Sequence, residues 1–239
     1  MAIAIAQRSR NLAILLAAVV GCNSGDLVLP ETPGSETVQL SKVGGDGQEG
    51  TVGEELPNPL VVRVLNAREE PVIGREVAFA MTSPTEAIPA TVITNNEGLA
   101  SGNVVLGTSP GSYVIQARLV VDLDSVQTQD FTVAAKPAAP DTLSARSPVS
   151  QPGRRGRSAA APPSVRVVDR FGNAVPDIPV AWQVIAGVGE TSESISRTTA
   201  EGTATVEWIL GNRIGVHKLT ATIEQATGSP VTFTVTVLF

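Results

Sequence analysis

The chain has 239 residues, a formal net charge of −6 and an aromatic content of only 3%. A single cysteine and a single histidine exclude an internal disulfide and a multi-histidine zinc site within one chain. The acidic balance makes nucleic acid, itself a polyanion, a poor partner.

The chain begins with Arg8 and Arg10 ahead of an apolar run, and no acidic residue precedes Asp26. A basic start, a short apolar core and small residues at its end mark residues 1–21 as a secretory leader. The core from Leu12 to Gly21 is 10 residues long, half of the roughly 20 needed to cross a bilayer. A buried core helix is the competing explanation, but no polar face repeats through the run. Val19-Val20-Gly21-Cys22 resembles the lipobox of bacterial lipoproteins. The resemblance implies that the Cys22 sulfur takes a diacylglycerol, that the leader is cut before it, and that the new amine is acylated. Ordinary cleavage and an uncleaved leader are the alternatives. Several acyl chains, at about 0.8 kcal/mol per buried methylene, make a stable anchor. An acylated Cys22 also leaves His217 with no thiol to serve.

Without residues 1–21, 15 Lys and Arg stand against 23 Asp and Glu, a formal charge of −8. Residues 22–36 contain two prolines and little to bury, which predicts a flexible tether. Beyond it, short valine-rich runs alternate with Gly, Pro, Asn and Asp clusters, the pattern of an all-β chain.

The chain then repeats itself. Val62, Val64, Val72, Val77 and Phe79 recur as Val165, Val167, Val175, Val180 and Trp182 at an offset of 103. Glu97-Gly98, Leu106-Gly107, Gly111 and Ala117 recur as Glu201-Gly202, Leu210-Gly211, Gly215 and Ala221 at an offset of 104. "FTV" at 131 recurs at 233. So steady a register marks two copies of one domain. The expected units are 37–135 and 141–239, joined by a proline-containing linker at 136–140. Within them Val77, Phe79 and Met81 alternate with Glu76, Ala78 and Thr82. Tyr113, Ile115, Ala117 and Leu119 form another period-2 face, as do Ala204, Val206, Trp208 and Leu210, and Phe233, Val235, Val237 and Phe239. Such faces, with turns between them, predict a β-sandwich of about seven strands per unit.

"VRVVDRFGNAVPDIPVAW", "TTAEGTATVEW" and "LGNRIGVHKLTA" together resemble the group 1 bacterial immunoglobulin-like domain of invasin- and intimin-type surface proteins. The resemblance covers both units and implies an Ig-like Greek-key sandwich. The first unit departs at one turn: Asn66-Ala67-Arg68-Glu69-Glu70 stands where the second has Asp169-Arg170-Phe171-Gly172-Asn173. The missing glycine leaves the type of that turn open. Ala174 also stands where the family pattern often has proline.

No catalytic set emerges. His217 takes the place of Tyr113 on an apolar face and reads as a partly buried ring with one satisfied nitrogen. Carboxylates pair at Asp122 and Asp124, Glu69 and Glu70, and Asp46 and Glu49. Calcium needs 6–8 oxygens, of which such loops supply some, and solvated surface charge is the simpler reading. Paired carboxylates for glycoside hydrolysis need a cleft, and two narrow sandwiches offer none. The one basic cluster is Arg154, Arg155 and Arg157 in "GRRGR", near Arg146, where the first unit has "GTVGE". It reads as a solvated loop or as a contact for an anionic partner, such as phosphorylated lipid headgroups or an acidic surface polymer. The sandwich edges are open to strand pairing with a partner.

These features predict a non-enzymatic, lipid-anchored bacterial envelope protein, with no cofactor or metal, acting as a short stalk or adhesion module for a protein or surface-polymer partner. Asn23 after the cysteine leans toward the outer membrane or cell surface. In the resembled family such domains mostly carry a separate tip. Here the last strand runs to Phe239, so the second domain is expected to be the tip itself or to assemble with another chain. A carbohydrate- or ligand-binding module is the alternative, and Trp208 the aromatic residue to watch. A hydrolase ranks last.

Overall fold

A computed structural model describes residues 37–83, 90–122 and 125–238. Cys22, the leader and the tether lie outside the described residues, as do Asp124, Phe239 and the side chain of Asp122. Ser35–Phe239 form one compact unit.

The valine-rich runs are strands. The first half carries β1 (Val38–Gly44), β2 (Glu49–Thr51), β3 (Leu60–Asn66), β4 (Glu76–Ser83), β5 (Ala90–Ile93), β6 (Leu99–Gly102), β7 (Gly111–Asp122) and β8 (Ser125–Lys136). The second carries β9 (Pro140–Ala145), β10 (Ser150–Gly153), β11 (Ser164–Asp169), β12 (Pro179–Ala186), β13 (Gly189–Thr191), β14 (Ile195–Arg197), β15 (Thr203–Thr205), β16 (Trp208–Leu210), β17 (Gly215–Thr222) and β18 (Val231–Val237). None of the described residues is helical.

The strands assemble in the same order twice. In the first half a three-stranded sheet, β1-β3-β6, accompanies a five-stranded sheet, β2-β8-β7-β4-β5. In the second half the corresponding sheets are β9-β11-β15 and β10-β18-β17-β12-β14. Each five-stranded sheet is antiparallel except at one edge, where β2 runs parallel to β8 and β10 parallel to β18. The chain thus folds as two Ig-like sandwiches in tandem. The second sandwich adds a short pair, β13 with β16.

Apolar alternation puts one face of each sheet inside. Val77, Phe79 and Met81 of β4 are buried with Tyr113, Ile115, Ala117 and Leu119 of β7, in a core shared with Val62 and Val64 of β3. The second core repeats this with Val180, Trp182, Leu219, Ala221, Val165 and Val167. Each buried Val, Leu or Phe contributes about 1.5–3 kcal/mol over leaving it in water. Phe79 meets Phe131 at 6.4 Å, and Trp182 meets Phe233 at 6.2 Å, between ring centroids. The run from Ala204 to Leu210 is buried at alternate positions as expected, yet it splits between sheets: β15 pairs with β11, and β16 with β13.

The open turn of the first unit is resolved. Asn66 Oδ1 accepts the N–H groups of Arg68 and Glu70, as Asp169 Oδ1 accepts those of Phe171 and Asn173. Glu69 N–H closes onto Asn66 O as Gly172 N–H closes onto Asp169 O. The two turns are therefore of one type. Glu69 takes the left-handed conformation at φ 62° where Gly172 sits at 85°, a conformation that costs a residue with a Cβ roughly 1–2 kcal/mol.

Candidate interaction surface

The Asp169–Asn173 turn faces the first sandwich. Asp169 is buried although it carries a charge. Its Oδ2 accepts the N–H of Ala138, in the segment joining the sandwiches, at 2.9 Å, and the Asn173 amide at 2.9 Å. Burial pushes the Asp169 carboxyl up. The Asn173 amide and the N–H groups of Ala138, Asn173 and Phe171 outweigh it and hold the group below its ordinary value. The same Asn173 amide donates to Thr108 O of the first sandwich at 2.8 Å. Phe171 lies directly over Gly53: a Cβ there would stand 2.6 Å from the ring's Cζ. The Arg170 guanidinium stacks on the Phe171 ring at 4.7 Å. An arm on the second sandwich thus rests on a seat on the first.

That seat has a twin at the far end of the second sandwich. In the first, Glu54 N–H bonds Thr51 O, Gly53 N–H bonds Gly107 O, Leu106 N–H bonds Glu54 O and Leu56 N–H bonds Val104 O. In the second, Arg157 N–H bonds Arg154 O, Gly156 N–H bonds Gly211 O, Leu210 N–H bonds Arg157 O and Ala159 N–H bonds Trp208 O. Gly53 and Gly156 both adopt positive φ, 71° and 63°. So "GRRGR" forms the same turn as "GTVGE", but where Phe171 lies over Gly53, only the Asn212 amide oxygen lies near Gly156.

Arg154, Arg155 and Arg157 are all exposed, and among the described residues none of them forms a salt bridge. Arg154 and Arg157 border a shallow depression with Ser158, Ala160 and Leu238. Exposed apolar residues gather at this end: Ile214, Val216 and Leu238 are each more than half exposed. Their counterparts on the first sandwich are Pro110, Ser112 and Lys136. Sequence reasoning found the arginines but missed the arm, the seat and this apolar group. Phe171, a large ring in an otherwise polar turn, was the available signal.

The other candidates resolve separately. His217 is fully buried rather than partly so, with Nδ1 2.7 Å from Val188 O and Nε2 2.8 Å from Arg213 O. Both ring nitrogens are therefore engaged, where one was expected. Its counterpart Tyr113 donates its hydroxyl to Ser109 O at 2.6 Å, so the two side chains tie down corresponding carbonyls. Asp46 is held by Lys42 and by the Thr132 N–H, which lower its pKa. Glu49 pairs with Lys136 at 2.5 Å. Glu69 and Glu70 are exposed in their turn, and the Asp122–Asp124 pair lies outside the described residues. Among the described residues, no three His, Cys, Asp or Glu side chains cluster to hold a metal. Trp208 is fully buried and Trp182 nearly so, so neither offers a platform for a sugar ring.

Residues 158–236 match the family model of the bacterial Ig-like domain (group 1). Among solved structures, the Escherichia coli adhesin FdeC is similar at 13% identity and a TM-score of 0.55, over 85% of this chain and 64% of that one. Yersinia pseudotuberculosis InvD is similar at 18% identity and a TM-score of 0.47, over 83% of this chain and 57% of that one. The D0-D1 domains of intimin are similar at 16% identity and a TM-score of 0.34, over 84% of this chain and 98% of that one. The chain thus spans less than two thirds of the FdeC and InvD chains it resembles. Among curated proteins none matches it in sequence. The residues matched lie within the second sandwich, whose strand order and buried faces agree with the Ig-like fold of that family model.

Proposed function

We propose that this protein is a non-enzymatic, lipid-anchored component of a bacterial cell envelope. In this reading residues 1–21 are removed, Cys22 carries the lipid, and residues 22–36 tether two Ig-like domains, 37–135 and 141–239, to an outer membrane or cell surface. The domains act as a short adhesion stalk. Its contact end is the far end of the second sandwich, where Arg154, Arg155 and Arg157 meet an anionic partner. The observation that carries this is the difference between the two twin turns. The one in the first sandwich is covered by its neighbour, whereas the other is bare, basic and flanked by exposed Ile214, Val216 and Leu238. Exposed apolar groups rimmed by charge are a mark of interaction sites. The adhesin fold of FdeC agrees with such a role.

Metabolic labelling with a palmitate analogue tests the anchor. Label is expected on the wild type and lost in Cys22→Ser; equal label in both removes the anchor. Protease protection in intact cells then separates an outward from a periplasmic orientation.

A further inference from the structure

We propose that the arginine turn of one copy seats the Asn66–Glu70 turn of a second copy, so that the chains associate head to tail. This rests on reading the far end of the second sandwich as a contact surface, and it names the occupant. The molecule carries two arms and two seats. The Asp169–Asn173 arm and the Thr51–Glu54 seat are engaged with each other inside the chain. The Asn66–Glu70 arm and the Arg154–Arg157 seat remain, at opposite ends of the tandem, each with the backbone hydrogen bonds of its engaged twin. Ala67, Arg68, Glu69 and Glu70 are all exposed.

Charge decides which pairing is favoured. Inside the chain the seat carries Glu54 and Glu55, and the arm presents Arg170. At the free ends the signs are exchanged. The seat carries Arg154, Arg155 and Arg157, with Arg213 in the neighbouring loop, and the arm presents Glu69 and Glu70 beside a single Arg68. Two arginine seats repel one another, so a symmetric tail-to-tail dimer is disfavoured, whereas an acidic arm is drawn to a basic seat. Ile214 and Leu238, where the first sandwich has Pro110 and Lys136, supply apolar area beside the seat. Because arm and seat are different surfaces, the contact is heterologous, and repetition gives a row of copies rather than a closed pair.

Sedimentation of residues 35–239, which contain both hydrophobic cores whole, tests this through a charge exchange. The wild type is expected to associate with rising concentration, and added salt to weaken the association. R154E/R155E/R157E alone and E69R/E70R alone are each expected to stay monomeric. Mixed together they should associate again, because each supplies the partner sign the other lacks. A wild type that stays monomeric to millimolar concentration overturns the proposal, as does a mixture that fails to associate or self-association that ignores both variants. Binding to phosphatidylglycerol vesicles is measured in parallel. Arginine-dependent vesicle binding by a monomeric wild type removes the second copy as occupant and leaves the contact surface standing. Neither binding nor association removes both.

Discussion

The turns Thr51–Glu54 and Arg154–Arg157 share a backbone and differ in what lies on them. The first holds Phe171 against its glycine, and the second is open. The arms differ in the same way. The Asp169 side chain reaches beyond its own turn to the N–H of Ala138, whereas among the described residues the Asn66 side chain bonds within its turn. One local fold therefore serves either as a joint or as a surface, depending on a few side chains. The joint inside the chain uses an acidic group with a spare oxygen, a flat ring and an amide donor.

The largest break in this symmetry is expected from Asp169→Ala. It leaves the N–H of Ala138 without its acceptor in a buried site and those of Phe171 and Asn173 in a part-buried one, at a cost of about 2–4 kcal/mol. Asn66→Ala, in the exposed twin, is expected to cost about 1 kcal/mol. Urea unfolding of both variants compares them, and equal losses would contradict the joint. Gly53→Ala comes next. Its Cβ collides with the Phe171 ring and adds positive-φ strain, together about 1–3 kcal/mol. Gly156→Ala meets only the strain and the Asn212 amide, so its loss should be smaller. Small-angle scattering should show the sandwiches loosened by the first change and not by the second. The smallest effect is a pH dependence. The Asp169 pKa is lowered in the folded state, so its stabilisation is full above the unfolded value of about 4. It fades as pH falls through the folded value. The joint is expected to loosen in acid in the wild type and to lose that dependence in Asp169→Asn. An unchanged acid response in Asp169→Asn would assign it to another group.

Much of the fold was legible because burial in a sandwich writes itself into sequence at period 2. Val77, Phe79 and Met81 alternate with outward residues and are buried, and their twins at Val180 and Trp182 follow. The turn at Asn66–Glu70 was harder to read. The missing glycine left its type open; the Asn66 side chain supplies the same two acceptor bonds, and Glu69 takes the left-handed backbone. His217 was placed on the right face, but that both ring nitrogens meet carbonyls depends on the turn at Arg213 just before it and on Val188, 29 residues away. The arginines of "GRRGR" were evident as a cluster. That they occupy the twin of an occupied seat was not, because a seat exists only through what rests on it.

The sequence by itself determined the all-β class, the repeat and the inward faces, since each follows from local alternation and from spacing along the chain. Only the tertiary structure decided which of two equivalent turns is covered. Phe171 and Gly53 lie more than a hundred residues apart in sequence, and nothing local to either records that they touch.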